Sequence, residues 1–229
     1  MRTIGAVMAH ESSSNITLVS FVYGSEYFDK WAQPFFEALK QQDCRNAILI
    51  SDRHVEVPSF IDLIVQPFNS MGEALNLGCA RVETDWLIPL GFDDLLLDGA
   101  LEPINSTADV YGFPLQLSGL RSGLMNYLGG YDHMSTLQHN PMACGTAMRQ
   151  ELMQEIPFRD AIYCDWIHHC ETSFFGKTFE YSHVPRVNMV RHDQALSVNA
   201  VPEAHKQVYE FQERLHSGAI LKGVPHGAS

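Results

Sequence analysis

Carboxylates stand directly behind apolar runs at two places in this sequence. Asp52 follows Ala47–Ser51, and Asp93 and Asp94 follow Trp86–Leu90 after Gly91 and Phe92. Acidic groups gathered at strand ends are hard oxygen ligands suited to Mg²⁺ or Mn²⁺. Asp93 or Asp94 can equally cap a helix beginning at Leu95, and the residue types alone leave both readings open. Asp165 precedes Trp166, Ile167 and Cys170, so it is either a proton acceptor for a hydroxyl or the N-cap of that helix. Cys164, His168, His169 and Cys170 are dense in sequence but lack the C-x2-C and H-x3-H spacings of structural zinc sites. Reduced, unligated thiols are the expectation there.

These groups need elements to hold them. Ile16–Tyr23, Ala47–Ser51, Leu63–Gln66 and Trp86–Leu90 are rich in β-branched and aliphatic residues and read as strands. Phe28, Trp31, Phe35 and Leu39 recur at helical spacing, with Pro34 expected to kink that helix or mark the first turn of its main part. Asn69–Val82 reads as a helix, with Ser70 and Glu73 as a capping box and Leu75, Cys79 and Val82 as its apolar face. Asn69, Gly72 and Asn76 fall on roughly the opposite side. This alternation predicts an α/β domain with a largely parallel sheet, in which ligands collect at the carboxyl ends of the strands.

Beyond Leu101 the pattern loosens. Asp109–Phe113 reads as a strand, and Gly119–Gly130 as a glycine-rich loop or lid. Arg121, Tyr127, Tyr131, His133 and His139 lie in and after it. Gly145–Ile156 and Asp165–Phe175 read as helices, and Thr178–His183 and Arg186–Val190 as strands. Ala204, Val208, Phe211 and Leu215 mark a C-terminal helix, followed by a tail. Phe174, Phe175 and Phe179 suit either a core or a dimer surface.

A chain of 229 residues, 45% hydrophobic and 18% charged, suits one domain with a sizeable core. Its formal net charge of -12 disfavours a nucleic-acid partner. No apolar run approaches the roughly 18 residues of a membrane-spanning helix, and the apolar part of the N-terminus is short for a signal peptide. A cytoplasmic protein is expected. Five cysteines at irregular spacing do not form a disulfide framework.

Several segments together resemble the family 2 glycosyltransferases of GT-A fold. They are Asn69-x-x-Gly72-x-Ala74-x-Asn76-x-Gly78-x-Ala80, then Asp85-Trp86-Leu87-Ile88-Pro89-Leu90-Gly91-Phe92-Asp93-Asp94, then Cys164-Asp165-Trp166, and finally Arg191-His192-Asp193-Gln194-Ala195-Leu196-Ser197. The similarity runs over residues 15 to 200. It implies a Rossmann-like mixed, largely parallel sheet flanked by helices, within one domain spanning 1–229. Residues 1–104 would bind the nucleotide sugar, 105–200 would carry the acceptor and catalytic half, and 201–229 would form a C-terminal helix and tail. Two departures stand out. Gly91 replaces the first Asp of the D-x-D motif, and Cys164 replaces the Glu of the E-D-W element.

The resemblance implies a nucleotide-diphosphate sugar donor, UDP-sugar favoured, and a hydroxyl-bearing acceptor. Tyr23, Asp52, Asn76 and Asp94 would bind the donor, with Asp52 on the base. Asp93 and His192 would hold a divalent metal, Mn²⁺ or Mg²⁺, on the diphosphate, and Asp165 would be the general base of an inverting transfer. Each position keeps a plainer alternative: His192 as a surface histidine, Trp166 as core, and Gly72 and Gly78 as close-packing sites. Two other functions stay open. One is a nucleotide-sugar-binding protein impaired in catalysis, on account of Gly91. The other is a nucleotidyltransferase, although Tyr23-Gly24-Ser25-Glu26 is not the basic glycine-rich loop that chemistry needs.

Overall fold

The computed structural model describes residues 15–125, 133–138, 140, 146–195 and 201–220. The expected strands form where predicted, as β1 (Ile16–Val22), β2 (Ala47–Ser51), β3 (Ile61–Val65) and β4 (Trp86–Pro89). They pair in parallel in the order β3-β2-β1-β4. Burial on both faces explains their unbroken aliphatic character: all of β2 and β4 is buried. α1 (Ser25–Gln41) runs unbroken through Pro34 and buries Phe35, Ala38 and Leu39. α2 (Met71–Cys79) begins at the Ser70 cap, whose hydroxyl accepts from the Glu73 N–H at 3.1 Å.

Three further strands extend this sheet to seven, in the order β10-β6-β9-β4-β1-β2-β3. β6 (Val110–Gly112) and β10 (Phe179–Tyr181) lie where strands were expected. β9 (Ala147–Arg149) corrects the sequence reading, which assigned Gly145–Ile156 wholly to a helix. Met148 pairs with Leu87 on one side and Val110 on the other, and the helix, α4 (Gln150–Glu155), starts only beyond that pairing. Two open strand edges outvoted a local helical pattern. β9 is antiparallel to both neighbours, so the sheet is mixed but largely parallel.

A second, four-stranded sheet in the order β5-β11-β7-β8 packs beyond the end of β4. It contains β5 (Leu95–Leu96), β7 (Leu115–Gly119), β8 (Gly123–Met125) and β11 (Val187–Arg191). The glycine-rich segment expected as a loop is therefore partly a β7–β8 hairpin. Tyr127, Tyr131 and His139 lie outside the described residues. α3 (His133–Gln138), α5 (Cys164–Phe174) and α6 (Val201–His216) complete the described elements. α6 buries Ala204, Val208, Phe211 and Leu215, the predicted stripe. Phe175 and Phe179 pack half-buried against the core, and Phe174 is exposed. Among the described residues no helix is long and apolar enough to cross a membrane.

Candidate active site

The carboxyl ends of β1 and β4 open on one cleft, and the end of β2 lies beside that of β1. Past β1 the chain turns at Gly24, whose φ of 79° suits glycine, and its N–H donates to Asp52 Oδ1 at 3.2 Å. Arg53 donates to the other oxygen at 2.7 Å. The Arg53 guanidinium first, and the Gly24 N–H second, hold the Asp52 carboxyl below the usual carboxylate range. Tyr23 stands at the rim, 65% exposed, its ring 6.0 Å from that of Phe68.

Beyond β4 the chain closes a turn through the Asp94 N–H on the Gly91 carbonyl at 3.0 Å. Both carboxylates fold back over Gly91. A Cβ at that position would lie 2.9 Å from Asp93 Oδ1 and 2.8 Å from Asp94 Oδ2. The space beside Gly91 is thus filled by these two carboxylates. No helix begins at Leu95, which is in β5, so the capping alternative for Asp93 and Asp94 does not hold. Asp94, only 4% exposed, instead accepts the Val190 N–H at 3.0 Å and ties the end of β4 to β11.

Asp93 Oδ2 lies 2.8 Å from His192 Nε2, a residue 99 positions later. The His192 ring packs against Trp31 with centroids 4.9 Å apart and against Tyr27 at 6.3 Å. Tyr27 also hydrogen-bonds Asp93; burial, and then the Asp93 charge, push its phenol far up, so it remains a proton donor.

Asp165 occupies the first turn of α5, whose N-cap is Tyr163, so it is not itself the cap. Asn140 Nδ2 donates to its Oδ2 at 2.8 Å. Burial raises its pKa above the usual 3.8, opposed in part by the Asn140 bond. Tyr23, Asp93, Asp94 and Asp165 line one cavity of about 670 Å³ together with Arg121 and Arg191. Carboxylates of two kinds thus face one space, a strand-end group next to a histidine and a desolvated group on a helix.

Asp52, Asn76 and His192 are not among the residues lining this cavity. Asn76 is held by the backbone of a neighbouring segment. Its Nδ2 donates to the Phe158 carbonyl and its Oδ1 accepts the Phe158 N–H, both at 2.9 Å, which spends the amide on a structural clamp. Gly72 and Gly78 serve packing: a Cβ would run into the Arg159 carbonyl at the first and into Val19 and Ile50 at the second. Trp166 is core, 3% exposed, its Nε1–H donating to the Thr136 carbonyl at 2.7 Å. Cys164, His168, His169 and Cys170 are all buried on α5. Among the described residues no group of three or more His, Cys, Asp or Glu side chains converges to hold a metal ion. Ser197 lies outside the described residues.

Sequence reasoning missed Tyr27 and Asn140. Tyr27 lies four residues before Trp31, on the face of α1 that meets His192, so the helical stripe carried its signal. Nothing local pointed to Asn140.

No protein-family model matches the sequence, and no curated protein matches it. Solved structures do resemble it in shape. S. aureus TarS 1-349 in complex with UDP-GlcNAc superposes with a TM-score of 0.70 at 13% identity, over 91% of this chain and 68% of that one. The chain has the GT-A fold. The same TarS fragment in complex with UDP gives a TM-score of 0.64 at 12% identity over 91% and 67% of the two chains. A longer TarS chain gives 0.56 at 9% identity over 89% and 42%. Identities this low establish the shared fold; the residues of the site have to be argued from their own geometry.

Proposed function

We propose that this chain is an inverting glycosyltransferase that moves a sugar from a nucleotide-diphosphate donor, with a UDP-sugar favoured, to an acceptor hydroxyl. One observation carries the reading: a desolvated carboxylate, Asp165, shares a single cavity with Asp93 and Asp94 at the carboxyl end of β4. The likeness to a TarS structure holding UDP-GlcNAc supports the donor class. The sequence motifs support membership of family 2, with 1–104 as the donor half, 105–200 as the acceptor half and 201–229 as a C-terminal addition.

In this reading Asp165 accepts the proton of the acceptor O–H. The acceptor oxygen bonds to the anomeric carbon as the carbon–oxygen bond to the diphosphate breaks, its electron pair leaving with the diphosphate. A raised pKa suits this role, because a more basic carboxylate takes a hydroxyl proton more readily. Asn140 fixes the carboxylate's orientation.

A divalent cation is part of the proposal. Asp93 Oδ2 and His192 Nε2 hydrogen-bond to each other at 2.8 Å, and the two would hold the ion by exchanging that bond for it, an oxygen with an imidazole suiting Mn²⁺. Such an ion would offset the charge that builds on the departing diphosphate. Tyr27 orients Asp93, Asp94 fixes the loop that carries it, and Arg121 and Arg191 face the cavity as further positive charge. Tyr23 at the rim and Asp52 beyond it would flank the nucleotide base. The test is UDP release from UDP-GlcNAc and other UDP-sugars by the parent chain and by Asp165→Asn. Release that is metal-dependent and lost in the variant supports the reading, and equal release from both rejects Asp165 as the base.

A further inference from the structure

α6 carries an aromatic strip that leads out of the cavity from Asp165. His205 lines the cavity along with Tyr163 and Asp165. Its ring meets the buried Trp166 edge-on with centroids 5.4 Å apart and approaches Tyr163 at 5.9 Å. Tyr209, one helical turn along, has its ring 6.2 Å from His205 and is 50% exposed. Tyr163 is the N-cap of α5, two residues before Asp165 on the same cavity wall, and burial, then the Asp165 charge, raise its phenol. The side chains of His205 and Tyr209 hold no hydrogen bond among the described residues, so their polar edges are open.

The strip is anchored by its helix. The adjoining face of α6 is buried, and Gln207 Oε1 accepts the Ile162 N–H at 2.9 Å while Gln212 donates to the Leu137 carbonyl at 3.1 Å. Half-exposed rings with open polar edges, continuous with a cavity that holds a base, match the chemistry of a neutral sugar. The C–H face of a pyranose lies on an aromatic face, and its hydroxyls bond the phenol and imidazole edges. A chain of formal net charge -12 repels polyanionic acceptors.

We propose that Tyr163, His205 and Tyr209 form the acceptor subsite and that the acceptor is a neutral carbohydrate whose ring stacks there and delivers a hydroxyl to Asp165. This rests on the transferase reading above. The experiment probes a glycan array of neutral mono- to tetrasaccharides with the full chain in UDP and Mn²⁺, comparing the parent with Tyr209→Ala, Tyr209→Phe and His205→Ala. UDP-induced thermal stabilisation is measured on all four in parallel.

The expected result is saccharide binding weakened about three- to tenfold by Tyr209→Ala and less by Tyr209→Phe, with UDP stabilisation intact. No saccharide bound by a parent that UDP stabilises would overturn the acceptor class and leave the donor reading standing. Binding untouched by both Tyr209→Ala and His205→Ala would overturn the subsite. If UDP fails to stabilise the parent, the transferase reading falls and this inference falls with it.

Discussion

Asn140 donates to the Asp165 carboxylate at 2.8 Å from a point 25 residues earlier in the chain, holding a group that burial would otherwise drive further from ionisation. The pair sets two opposite demands on one residue. Asp165→Asn should lower kcat by about 10²–10⁴-fold, the usual contribution of a positioned general base, while UDP still binds. In the parent, kcat should be low where Asp165 is protonated and rise with pH through its elevated pKa. Stability runs the other way: a carboxyl with a raised folded-state pKa loses stability as pH climbs above its unfolded value. Asp165→Asn should therefore melt higher than the parent at pH 7, and calorimetry beside a pH–rate profile checks both halves.

The crowding at Gly91 makes a second prediction. Gly91→Ala should push aside the Asp93 and Asp94 carboxylates and weaken Mn²⁺-dependent stabilisation by UDP. Asp93→Asn should abolish the metal dependence. At about 100 times its dissociation constant, a ligand of the folded state adds roughly 2.7 kcal/mol, easily read as a shift in Tm. If UDP stabilises all three proteins equally with and without Mn²⁺, the cation assignment at Asp93 and His192 is wrong.

Arg159 and Glu171 form a buried ion pair, with Arg159 Nε donating to Glu171 Oε2 at 2.9 Å and the two side chains 3% and 0% exposed. Glu171→Gln should cost about 3–5 kcal/mol because a buried guanidinium loses its counter-charge. Asn76→Ala should cost about 1–3 kcal/mol by leaving the Phe158 peptide groups unpaired. Urea melts measure both, and UDP affinity should hold in Asn76→Ala once the protein is folded.

His168 should make the fold acid-sensitive. Its Nε2–H donates to the Ile156 carbonyl at 3.0 Å, and its buried Nδ1 has no partner among the described residues. Burial pulls its pKa from 6.5 down to about 4. The unfolded chain therefore takes up a proton first as pH falls, and stability present above pH 6.5 is lost on the way down to about pH 4. A shift of this size is worth on the order of 3 kcal/mol. His168→Gln should flatten Tm against pH across that window, and an unchanged slope would count against the assignment.

Sequence alone determined the strand and helix framework of the first half, because β1, β2, β4 and α2 are set by local periodicity and caps that burial then reinforced. It also placed Asp93 and Asp165, since a carboxylate at a strand end or in the first turn of a helix is a local feature. Tertiary structure decided what local rules cannot reach. Met148 joined a strand because two sheet edges were open to it, and Asn76 turned from the cleft because the Phe158 peptide offered both a donor and an acceptor. The resemblance puts His192 with Asp93 on a metal, but the hydrogen bond between those two, like that of Asn140 to Asp165, joins distant segments. Such pairings depend on which elements pack together, and no spacing in the chain encodes them.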